Sequence, residues 1–138
     1  MLTGRSASAS ALSSNVSAMD DKVNLQEAFA RLDAPFRPLI VAEYNDNKVT
    51  VAKTQGEFVW HKHDDTDDFF LVLNGQLTIQ LRDRDVVLGP GELFVVPRGV
   101  EHCPRSDDGA ELLLIEPLGT VNTGDAEASE LTAPERRM

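Results

Sequence analysis

The chain has 138 residues, 41% of them hydrophobic and 26% charged, proportions of one soluble globular domain able to bury its own core. Its 23 acidic against 13 basic residues leave a net charge of -10, which repels phosphate backbones and anionic headgroups and argues against nucleic acid or a membrane surface as a partner. No apolar run approaches the roughly 18 residues of a membrane-crossing helix, and the single cysteine, Cys103, excludes an intrachain disulfide and points to a reducing compartment, the cytoplasm.

The first nineteen residues lack acids and are rich in Ser and Ala, without the continuous apolar stretch of a secretory signal. Residues 1–20 therefore read as a disordered extension, with an organellar transit segment as the alternative. A short helix is predicted within residues 21–36. Asn24 caps it, Glu27 three residues on completes a capping-box pattern, and Leu25, Phe29 and Leu32 form one apolar stripe that must stop before Pro35. Its expected role is a brace.

From Pro38 onward, short runs of Val, Ile, Leu and Phe alternate with Gly, Pro, Asn and Asp at the spacing of an all-β fold. Strands are predicted at Leu39–Tyr44, Lys48–Gln55, Phe58–His63, Phe69–Leu73, Gln76–Arg82, Asp85–Leu88, Leu93–Val96 and Ala110–Glu116. They imply an antiparallel β-barrel or jelly roll over residues 37–120. Asn74-Gly75 reads as a type I′ hairpin turn, in which both central residues need positive φ. The run Phe69-Phe70-Leu71-Val72-Leu73 is apolar throughout, so both of its faces should be covered, one by the barrel interior and the other by a second sheet or a second subunit. Residues 121–138 lack apolar periodicity and read as a mobile tail.

His61 and His63 are one residue apart, which in a strand sends both imidazoles to one face, where one divalent ion can meet two nitrogens at about 2.0–2.2 Å. Asp67 and Asp68 follow where the chain re-enters a strand, and parity alone does not choose between them. His102 comes after Pro97-Arg98-Gly99, a corner that presents the next strand's histidine inward. Trp60, Lys62 and Cys103 alternate with the histidines and so face away, Cys103 as a buried inert thiol. Arg98 reads as a solvated corner residue, and Asp64–Asp67 as a solvated loop.

These segments carry a resemblance. Gly56 to Gly75 (GEFVWHKHDDTDDFFLVLNG) resembles the first cupin motif, and Gly91 to His102 (GELFVVPRGVEH) the second, Gly-x5-Pro-x-Gly-x2-His. The resemblance covers residues 37–120 and implies a small cupin of the RmlC-like superfamily, a homodimeric double-stranded β-helix. It also implies a metal held by three histidines and a glutamate. Those positions fall on His61, His63 and His102, with Asp68 in place of the glutamate, seven residues before Gly75. Two departures stand out: Asp68 is one methylene shorter than Glu, so it reaches an ion directly or through water, and Ser106 stands where many members carry Asn.

The expected function is a metal-dependent enzyme acting on a small oxygenated molecule, either a dioxygenase or an isomerase, cyclase or lyase, since these share the fold. The alternative is a non-catalytic module that binds or senses a small ligand. Imidazoles with a carboxylate admit Fe, Mn, Ni, Zn or Cu.

Overall fold

The computed structural model describes residues 22–138, so the extension expected over 1–20 lies outside the described residues. Helix α1 (Leu25–Ala30) precedes seven strands: β1 (Leu39–Tyr44), β2 (Asn47–Glu57), β3 (Asp68–Gly75), β4 (Leu77–Leu81), β5 (Asp85–Leu88), β6 (Leu93–Val96) and β7 (His102–Pro117). Every pairing between these strands is antiparallel. The fold is a jelly roll. Its sheet runs β1-β2-β7-β3-β6, with β4 joined to β7 and to β5, and hydrogen bonds do not close it into a complete barrel.

β7 organises the molecule. Along one side it pairs with β2 from Asn47↔Pro117 to Glu57↔Arg105. Along the other it meets β4 at His102–Arg105 and then β3 at Ala110–Ile115. Period two turns its even-numbered residues inward, so His102, Pro104, Ser106, Leu112 and Glu116 share the interior with Asp68, Phe70 and Val72 of β3. Phe70, Val72, Leu77, Ile79, Leu88, Val96 and Leu112 form the apolar core at one end of this interior.

The hairpin predicted at Asn74-Gly75 does not form. Gly75 has φ +82, but Asn74 is not among the residues with positive φ, and β3 and β4 do not pair. Both lie in succession along β7, with Gly75 opposite Ala110. The glycine serves close packing: a Cβ there would lie 2.3 Å from the Gly109 carbonyl oxygen.

The strand predicted at Phe58–His63 is also absent. Only His61 makes a bridge, exchanging backbone bonds with His102 at 3.0 and 2.9 Å. Phe58 N–H still donates to Pro104 O of β7, but beyond His61 the backbone groups are taken by loops: Lys62 N–H donates to Asp125 Oδ1, Asp125 N–H to Lys62 O, and Gly99 N–H to His63 O. With its donors and acceptors so engaged, the segment has no free ladder for a neighbouring strand.

Asn24 caps α1, its side chain accepting from Glu27 N–H at 2.9 Å. Ala28, Phe29 and Leu32 bury themselves on Leu39, Val41 and Val51, the outer face of β1 and β2, and burial of Phe29 alone contributes about 2 kcal/mol. The helix thus braces the edge hairpin from outside. Residues 121–138, read from their polarity as a mobile tail, lie folded against the sheet. Arg136 and Met138 bond to the backbone of Ile40, Asn122 accepts from Ala133 N–H and donates to Leu131 O, and Thr123 is 1% exposed. The tail is anchored by backbone and polar side-chain bonds, which leave no apolar periodicity to read. Among the described residues no helix is long and apolar enough to cross a membrane.

Candidate metal centre

Four sequence-predicted residues converge inside the jelly roll. His61, His63, Asp68 and His102 are all buried, and each offers one ligand atom within 4.8 Å of the others. Two strand starts carry the opposite sides, Asp68 opening β3 and His102 opening β7. His61 and His63 lie on the loop between β2 and β3, with Lys62 turned outward against Asp64. The choice between the two aspartates is settled by β3: Asp68 lies inward, while exposed Asp67 accepts from Arg98 N–H at the corner.

Backbone carbonyls orient two of the rings. His61 Nδ1 lies 2.9 Å from Val59 O and His102 Nδ1 lies 2.9 Å from Val100 O. A carbonyl only accepts, so both Nδ1 atoms carry a proton and both Nε2 atoms are turned toward the cluster. Asp68 Oδ2 reaches the centre despite its shorter side chain, 3.0 Å from His102 Nε2 and 3.3 Å from His63 Nε2. Ligand atoms bound to one ion at about 2.1 Å stand about 3–4 Å apart. The four residues fit such an ion after small inward movements. A cation also answers the hydrogen-bond accounting, because His102 faces an acceptor at each nitrogen and a neutral imidazole has one N–H.

The electrostatics favour the ligand-competent forms of His61 and Asp68, whereas the shift at His63 favours a proton that an ion would have to displace. Burial, followed by the neighbouring His102, lowers His61 to about 4, leaving it neutral near pH 7. Burial works against the charged form of Asp68, but bonds from His102 and His63 outweigh it and hold the carboxyl near 2. Burial likewise opposes charge on His63, yet the Asp68 carboxylate raises it above its ordinary value.

A cavity of about 60 Å³ adjoins the cluster, walled by Phe36, Phe58, Phe70, Leu112 and Leu114. Phe36 holds φ +61, uncommon for a bulky residue, and its ring stacks on Phe58 at 4.9 Å. Sequence reasoning missed Glu116, which also lines this cavity and is 7% exposed. The available signal was its parity with Leu112 and Leu114 on the strand that His102 opens. Burial, then the charge of Asp68, raises Glu116 from 4.5 to about 7. The folded chain therefore holds this proton more tightly than the unfolded chain, a contribution to stability that is present below pH 4.5 and lost as pH rises through 7. In metal-free protein, Glu116→Gln is expected to unfold like wild type at pH 4.5 and to be more stable by about 1–3 kcal/mol at pH 8. Urea unfolding at the two pH values checks it.

The residues expected to face away do so. Cys103 is 1% exposed, and burial, followed by Glu57, pushes its thiol up to about 11, an inert group. Trp60 carries the Arg82 guanidinium 3.7 Å over its ring. Ser106 is structural, donating to Gln76 O at 2.8 Å.

Residues 47–116 match the family described as Cupin domain. The solved structure of a cupin-2 domain containing protein from Shewanella frigidimarina NCIMB 400 is 40% identical, with 69% of this chain and 93% of that one matched at a TM-score of 0.68. The uncharacterized protein YdbB of Bacillus subtilis strain 168 is 39% identical over 67 residues, 48% of this chain and 59% of its own length. The 3-hydroxyanthranilate 3,4-dioxygenase of Jannaschia sp. strain CCS1 is 29% identical over 116 residues, 80% of this chain and 64% of its own. The chain thus spans about three fifths of the length of these two curated relatives.

Proposed function

The chain belongs to the cupin family, and from that premise we propose that it is a metal-dependent enzyme for a small oxygenated molecule, with His61, His63, His102 and Asp68 holding one divalent ion. The observation that carries this reading is the convergence of three buried imidazoles and one carboxylate beside an apolar cavity. A divalent ion there supplies Lewis-acid charge, or a redox centre if it is iron. The chain's own residues do the rest. The carbonyls of Val59 and Val100 fix the tautomer and aim of His61 and His102. Asp68 brings negative charge to the ion, and the stacked Phe36 and Phe58 limit water at the cavity wall. Dioxygenase chemistry is the preferred branch, supported by the similarity to an enzyme named as a dioxygenase.

Protein purified without chelator is expected to hold close to one divalent ion per chain, measured by plasma emission. With iron loaded, oxygen uptake on a panel of catechols, β-diketones and 2-oxo acids supports the dioxygenase branch. A redox-inert ion without uptake moves the assignment to isomerase or lyase chemistry. Ligand-induced spectral change without turnover on any substrate assigns the protein as a binding module.

A homodimer completes the proposal. Outside the core, β6 exposes Leu93 and Val95, which pair across the strands with half-buried Leu71 and Phe69 of β3, and these in turn with Leu113 and Ile115 of β7. Such a continuous apolar row on one sheet face fits a subunit contact. The double variant Leu93→Glu, Val95→Glu alters only exposed side chains, and light scattering is expected to show the dimer mass halved with the fold retained. The buried lone thiol accords with a reducing, cytoplasmic setting.

A further inference from the structure

The cavity beside the cluster is polar only in part, and apart from the imidazoles of His61 and His63 the ionisable groups on its wall are acidic. Among the described residues that line it, Asp68 and Glu116 are acidic and none is Lys or Arg. The nearest cation compensates only in part. Lys48 lies directly across from Glu116 in the β2–β7 ladder, and both are buried, with Nζ 4.0 Å from Glu116 Oε2. Its ammonium is turned toward the C-terminal segment, donating to Glu135 Oε2 at 2.7 Å and to Thr120 O at 2.9 Å. Glu135 is itself fixed by Gly119 N–H at 2.6 Å. The C-terminal segment thus takes the hydrogen bonds of Lys48 and leaves Glu116 at the cavity wall with a 4.0 Å ion pair to it.

A ligand that reaches the metal through this cavity passes a carboxyl group in an apolar surround. A hydroxyl or amino group on the ligand gives that carboxyl the donor it lacks. A ligand carboxylate meets a like charge that Lys48, 4.0 Å away and hydrogen-bonded to Glu135 and Thr120, balances only in part, and it loses its hydration besides. We infer that Glu116 is the specificity-determining residue of the site, selecting ligands that offer a hydroxyl or amino donor beside their metal-binding oxygen and rejecting those that carry a carboxylate there. This rests on the metal-centre reading above.

The test uses the full chain loaded with Co(II), whose visible absorption reports ligand entry without any turnover. Hydroxyacetone and pyruvate share one carbon skeleton and differ in a hydroxymethyl against a carboxylate group. Titrated at pH 8, the wild-type protein is expected to shift the preference for hydroxyacetone over pyruvate by about tenfold or more relative to free Co(II), a comparison that needs no variant. Glu116→Gln is expected to raise pyruvate affinity about tenfold with cobalt content unchanged, and Glu116→Asp to restore the discrimination. A wild-type ratio equal to that of the free ion overturns the inference and leaves the metal centre standing, as does a Glu116→Gln ratio equal to wild type. Failure of the wild type to take up cobalt overturns the metal centre and this inference together.

Discussion

His102→Ala is expected to strip the protein of its metal, lowering ion content in chelator-free protein from close to one per chain to near zero. The side chain is 1% exposed at the start of β7. Its Nε2 is aimed at the cluster by the bond at Nδ1, so no neighbouring group replaces it. The loss reaches the fold as well. Asp68 is 5% exposed and holds His102 Nε2 at 3.0 Å. Without that ring the carboxylate keeps only His63, at 3.3 Å. Leaving a buried charge with half its partners costs about 2–4 kcal/mol, read as a lower urea midpoint in metal-free protein. The neighbouring Cys103→Ala faces away from the cluster and separates the two effects: it is expected to keep full metal content. A His102→Ala protein that retained its ion would remove His102 from the ligand set.

The second large effect concerns two glycines that look alike in the sequence. Gly75 closes the first motif and Gly91 opens the second, with φ +82 and +83. An alanine at either position takes on left-handed backbone strain of about 1–2 kcal/mol. At Gly91 the added Cβ meets nothing within 4 Å, whereas at Gly75 it lies 2.3 Å from Gly109 O and 2.8 Å from Ala110 Cα. Both of those atoms are backbone, at the joint where β3 gives way to β4 along β7, so neither rotates aside. Gly75→Ala is therefore expected to cost about 3–5 kcal/mol, the range of a severe core lesion, against about 1 kcal/mol for Gly91→Ala. Chemical denaturation of both variants checks the ratio, and equal costs would show that the β3–β7 joint yields.

Local pattern carried much of the molecule. β1, β5 and β6 begin and end where alternation and turn residues place them, and Asn24 caps its helix as the spacing requires. The spacing of the two cupin-like motifs brought the three histidines and Asp68 into one reading, although the strand expected to carry His61 and His63 is a loop. What failed were inferences that depend on which segment lies alongside. Asn74-Gly75 has the chemistry of a hairpin, but β7 offers both β3 and β4 a longer partner than they offer each other. Phe58–His63 has the composition of a strand, but loops and the C-terminal segment take its backbone bonds.

The sequence by itself determined the fold class, because side-chain alternation and turn chemistry are local properties written into consecutive residues, and it named the metal-capable residues through the spacing of two cupin-like motifs. Only the tertiary structure decided that the polar C-terminal segment packs against the sheet, and that Glu116 shares the cavity while Lys48 bonds to that segment. Those depend on contacts between residues far apart in the chain, Asp68 and His102 being 34 positions apart, Lys48 and Glu135 87, and Ile40 and Met138 98. Burial and charge at such contacts are set by neighbours that no local window contains.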